Sequence, residues 1–166
     1  MVSAAEALEG AFEAGARLEN IDTAGVMRLI PHRFPMLMID RVVEIEAHRR
    51  AVGLKQVTIN EPYFQGHFPG DPIMPGVFLI EAMAQTAAVL VIASAGRELE
   101  GSGIYFMGVD EARFRRPVRP GHQLRLEVAV QRSRLSVWKL EGRAVIGQPG
   151  GELAAESVFS AKLMRR

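Results

Sequence analysis

Over residues 123–136 apolar and polar side chains alternate, with Leu124, Leu126, Val128 and Val130 falling on one side of an extended chain. The same two-residue period, or a β-rich composition, predicts further strands over 38–47, 49–59, 103–114, 137–147 and 152–165. Asp22-Thr23 can cap a short helix that Pro31 ends, and the breaks RPGH (119–122) and QPGG (148–151) punctuate the later strands. Residues 76–95 are different. They are apolar on every side, which predicts a helix that must be covered over most of its surface. The only large surface on offer is the antiparallel sheet, so the expected architecture is α+β: a long central helix wrapped by a curved sheet. One sheet covers only part of such a helix, and a second copy of the chain is expected to cover the rest.

Composition narrows the class. The chain has 166 residues, 48% hydrophobic and 23% charged, as an ordinary soluble globular protein has. Residues 22–166 are expected to form one domain, preceded by a loosely ordered leader over 1–21 whose acidic residues do not suit a secretory signal. There is no cysteine, which excludes disulfides and thiolate chemistry and is compatible with the cytoplasm. Helix 76–95 is long enough to span a bilayer, yet Glu81 and Gln85 lie one turn apart on it, which favours a core helix. Net charge is only +1 but uneven: residues 1–100 hold 8 basic and 13 acidic side chains, residues 101–166 hold 12 and 6. The basic second part suits an acidic partner.

Candidate chemistry gathers in GHFPGDPIMPGVFLIEAMAQ (66–85). Its prolines, every third residue, match a polyproline II turn and can hold His67 in a stiff loop. His67 alone among the four histidines lies in a Gly/Pro-rich apolar loop, and no other ligand stands at metal spacing from it. Glu81 sits in the apolar helix; a carboxyl taken from water favours its protonated form, so Glu81 is a candidate proton donor. A structural Glu bonded to the sheet or to an arginine such as Arg113 is the alternative. Gly76 opens the helix, where an unsatisfied N–H carries the positive end of the dipole. Together the three supply a base, an acid and an oxyanion site, which suits proton removal beside a carbonyl with loss of a leaving group. No hydroxyl or thiol nucleophile and no phosphate cradle accompanies them.

That segment, with LIPHRFPMLMIDRV (29–42), TINEPYFQGHFPG (58–70) and FRRPVRPGHQL (114–124), resembles the bacterial (3R)-hydroxyacyl-acyl carrier protein dehydratases of fatty acid synthesis. The resemblance covers residues from about 22 onward. It implies the hot-dog fold and a hydro-lyase (a cytoplasmic dehydratase) with His67 as catalytic base, Glu81 as acid and the Gly76 amide on the thioester carbonyl. No redox or metal cofactor is implied. The dehydratase-isomerase branch has aspartate where this chain has Glu81, so the likeness is to the branch that only dehydrates. Family members form homodimers whose sites pair His67 of one chain with Glu81 of the other, and these group into hexamers. The resemblance implies a product for fatty acid synthesis and leaves open whether it goes to phospholipid or to lipid A. His122 departs from the family's aspartate in a turn away from the motif.

Two further expectations concern the acyl chain and the carrier. Phe68, Ile73, Met74 and Phe78 are candidates to line an apolar acyl tunnel. Four of the five arginines of DEARFRRPVRPGHQLRL (110–126), Arg113, Arg115, Arg116 and Arg119, form the candidate dock for an acidic acyl carrier protein; Arg125 is the fifth. Rival readings are a hot-dog thioesterase, which has no need of a histidine before Glu81, and a non-catalytic acyl-binding module.

Overall fold

The computed structural model describes residues 12–96 and 102–164. In chain order it has strand β1 (Arg17–Ile21), helix α1 (Thr23–Leu29), β2 (Arg41–Glu46), β3 (Arg50–Gln56), helix α2 (Gly76–Ala95), β4 (Gly103–Phe114), β5 (Gln123–Arg134), β6 (Val137–Ile146) and β7 (Glu152–Met164). The seven strands form one sheet in the order β1-β2-β3-β5-β6-β7-β4, and every neighbouring pair is antiparallel.

α2 crosses the inner face of this sheet and packs on strands β2 through β7. From Leu79 to Ser94 almost every side chain is enclosed, with Met83, Leu90 and Ile92 at the centre of the core. That lack of a polar side is why the helix shows no amphipathic period and why it needs a curved sheet. Two glycines let it sit close. A Cβ on Gly53 of β3 would overlap the branched Thr86 side chain, and one on Gly142 of β6 would lie 2.8 Å from Met83 Sδ. Thr86 has little freedom to yield, because its hydroxyl donates back to Ala82 O at 3.0 Å and its branched χ1 is stiff in a helix.

α1 begins where the sequence predicts, with Asp22 accepting from the Gly25 N–H at 2.8 Å. α2 and β4 have the predicted ends, while β2 and β3 are shorter than expected. The span read as a leader ends in strand β1, paired with β2 from Arg17↔Glu46 to Ile21↔Val42. Its five residues, RLENI, are too short and polar to show a period, and only Leu18 and Ile21 are buried hydrophobics. Residues 1–11 of that span lie outside the described residues.

The tight fit of α2 gives a stability prediction. Gly53→Ala should destabilise the fold by about 1–3 kcal/mol, the usual cost of overpacking, measured as a lower midpoint in denaturant unfolding.

Candidate active site

The His67 loop is a bent turn rather than the extended polyproline segment expected. Phe68 and Asp71 exchange backbone hydrogen bonds at 3.2 and 3.0 Å, with Gly70 between them at φ +80°. That left-handed residue breaks the three-residue rhythm of the prolines, and glycine takes it without strain. A single 3-10 turn, Pro62–Gln65, feeds the loop. The His67 N–H donates to Tyr63 O at 3.0 Å, and the Ile73 N–H donates back to His67 O at 3.0 Å. The Met74 N–H then ties the loop to Val118 O at 2.8 Å.

These bonds fix the backbone, and one more fixes the ring. His67 Nδ1 lies 2.7 Å from Ile73 O. A carbonyl can only accept, so Nδ1 carries the hydrogen and the lone pair is on Nε2. The ring is therefore set up as a base at Nε2. Gly76 is the first residue of α2, and no group among the described residues accepts its N–H. A Cβ there would come within 2.7 Å of the Phe114 ring. His67, Ile73, Met74, Gly76, Phe114 and Arg115 share one open cavity of about 470 Å³.

Glu81 opens into a different cavity. It is half-buried, its side chain 22% exposed, and sits at the mouth of an apolar pocket of about 70 Å³. Ala84, Ala88 and Val91 of α2, Phe106 of β4 and Trp138 and Leu140 of β6 line this pocket. Glu81 Oε1 accepts from Gln85 Nε2 at 2.8 Å and lies 3.4 Å from His32 Nε2. Arg113, the alternative partner, pairs instead with Glu111 at 2.5 Å.

The expected tunnel residues do not collect around Glu81. Ile73 and Met74 line the His67 cavity, Phe68 is half-exposed and stacks on His67 at 4.0 Å, and Phe78 packs on Tyr63 at 5.1 Å. The pocket beside Glu81 belongs to small residues at 84, 88 and 91, which share its helix face by the 3.6-residue period. That spacing is the signal that could have found them.

Nor are the four arginines a bare cationic patch. Arg113 and Arg115 both face Glu156, at 4.0 and 2.5 Å, Arg116 lies 3.4 Å from Glu152, and Arg119 pairs with Asp71. The Arg115 hydrogen bond holds the Glu156 carboxyl below the usual carboxylate range. His122, the departure from the family, closes its turn locally: its Nδ1 accepts from the Arg119 N–H at 3.3 Å.

The FabA-like domain model matches residues 30–154, which include the His67 cavity and every residue lining the Glu81 pocket except Ala161. The chain belongs to the FabA-like family. It is 54% identical to the "3-hydroxyacyl-[acyl-carrier-protein] dehydratase FabZ" of Gluconacetobacter diazotrophicus, covering 89% of each chain. With the protein of the same name from Gluconobacter oxydans it shares 52% identity over 88% of this chain and 85% of that one. A solved structure, a sigma28-regulated virulence protein from Campylobacter jejuni, shares the fold alone: TM-score 0.63 at 14% identity, over 87% of this chain and 92% of its own. The resemblance read from the motif is thus borne out, and with it the hot-dog fold and the enzyme class. This FabA-like protein is a dehydratase.

Tyr63, against which the His67 loop is built, has a buried hydroxyl with no partner among the described residues. Burial, and then the charge of Glu61, push its phenol well above the ordinary value near 10. A folded state that resists phenolate keeps its full stability below the unfolded pKa near 10 and loses it as pH rises from there toward the higher folded value. Tyr63→Phe should therefore flatten the alkaline fall of the melting midpoint and leave the fold equally or more stable at neutral pH.

Proposed function

We propose that this enzyme removes water from (3R)-hydroxyacyl groups carried on acyl carrier protein, giving the trans-2-enoyl thioester used in fatty acid synthesis. The observation that carries the reading is the tautomer of His67. Its Nδ1–H is committed to Ile73 O, which leaves Nε2 as a base in the same cavity as the unaccepted Gly76 N–H. His67 Nε2 takes the C2 proton. The enolate oxygen that develops is held by the Gly76 amide at the positive end of α2. Glu81 binds the C3 hydroxyl and protonates it as the C3–O bond breaks, releasing water. The acyl chain then runs into the apolar pocket beside Glu81.

The base and the acid belong to sites shared between two copies. Gly76 and Glu81 are five helical positions apart, about 140° around α2, and they line separate cavities. β4 is a sheet edge with Tyr105, Phe106, Met107 and Val109 exposed, an apolar face that suits cover by a second chain. A homodimer in which His67 of one chain meets Glu81 of the other fits both facts, and hexamers of three such dimers extend it. A cytoplasmic enzyme is the setting this reading implies.

For the acidic carrier protein we place the dock on cations without internal partners. Arg132, Arg134 and Lys162 meet no carboxylate within 4 Å among the described residues, and with Lys139 they line a concavity of about 540 Å³. The expected arginines, of which Arg115 and Arg116 rim the His67 cavity, are left a lesser share because their carboxylate partners must be displaced first.

His67→Ala and Glu81→Gln should each lower kcat by about 10²–10⁴ with the fold intact, followed as the ultraviolet absorbance of the enoyl thioester. Mixing the two inactive variants after subunit exchange should restore activity, since hybrid dimers hold one complete site; no recovery would reject the shared site. Turnover of carrier-bound substrate should weaken with salt far more than turnover of a small thioester. Arg132→Glu with Arg134→Glu should raise KM for the carrier substrate alone.

A further inference from the structure

Gln85 has no part in the steps described so far, yet it is 1% exposed and its amide is fully committed. Its Oε1 accepts from the Met38 N–H at 2.8 Å. Its Nε2 donates to Met36 O at 2.7 Å and to Glu81 Oε1 at 2.8 Å. The orientation of this amide is not open to choice, because a backbone N–H must face its oxygen and a backbone carbonyl its nitrogen. Both Nε2 hydrogens are then used, one on Met36 and one on Glu81. His32 Nε2 approaches the same carboxyl oxygen, at 3.4 Å, while its Nδ1 is buried without a partner.

An oxygen that accepts from a fixed donor is the wrong place for the carboxyl's own proton. We infer that Gln85, anchored on the 36–38 loop segment, is a positioning residue that makes Glu81 Oε1 an acceptor and so puts the transferable proton on Oε2. This rests on the reading of Glu81 as the acid. The step balances: the C2–H bond breaks and its proton goes to His67 Nε2, while the C3–O bond breaks and the departing hydroxyl takes the Oε2 proton as water. The imidazolium and carboxylate left behind are reset by one proton passing between them through solvent. A carboxyl free to turn, or with its proton on Oε1, would bind the hydroxyl without protonating it.

The test uses two leaving groups. A 3-hydroxyacyl thioester needs the acid, whereas a 3-chloroacyl thioester loses chloride without a proton and needs only the base. In the intact enzyme, Gln85→Leu should lower kcat for the hydroxy substrate by about 10- to 100-fold with little change in KM, and leave chloride elimination within about threefold. Gln85→Met, closer in length to glutamine, should repeat the result and serves if the leucine variant does not fold. Equal losses on both substrates would mean that Gln85 only supports the fold, and no loss on either would mean that it does not act on Glu81; both overturn the inference. Glu81→Gln, assayed beside them, separates the two claims. If that variant dehydrates normally the assignment of the acid fails, and if it alone is impaired only the role of Gln85 fails.

Discussion

A twenty-residue helix without a polar side must be enclosed, and the rest of this structure answers that requirement. Leaving α2 exposed would forfeit about 25 cal/mol for each square ångström of apolar surface, so six strands curve around it and two glycines thin the sheet where it presses closest. The site is a by-product of the same enclosure. The end of the helix that cannot be wrapped, at Gly76, is where backbone N–H groups lack partners, and the His67 loop packs over it.

Much of this is readable from residue order, because the forces are local or periodic. Strand alternation fixes which faces meet, and an apolar run of helical length has few alternatives to a core position. β1 escaped because five mixed residues carry no period; its pairing with β2 makes it a strand. The bend of the His67 loop escaped because prolines constrain φ one residue at a time, whereas the Phe68–Asp71 bonds and Gly70 set the path.

The chemistry is legible to a different degree. Residue types alone mark His67, Glu81 and Gly76 as a set, but not the separation of Gly76 and Glu81 on opposite sides of one helix. The alanines that leave room beside Glu81 signal only by absence of bulk. The arginine cluster reads as a cationic surface in one dimension, yet the carboxylates that neutralise it lie across strands, at Glu152 and Glu156. Long-range pairing of that kind is invisible until strand order is known.

Strand order also governs how the chain can be made. β4 has one partner in the sheet, β7, which follows it by about forty residues, with β5 and β6 in between. A nascent chain therefore carries β4, its exposed Tyr105, Phe106 and Met107 included, through the synthesis of a whole hairpin before the matching edge exists. Such non-local pairing slows folding and leaves a sticky ribbon in the meantime. The neighbouring β5–β6 hairpin can close at once on its own turn. Completion of the sheet is thus a late event in the life of each molecule, and crowding at that stage favours chance strand pairing between unfinished copies.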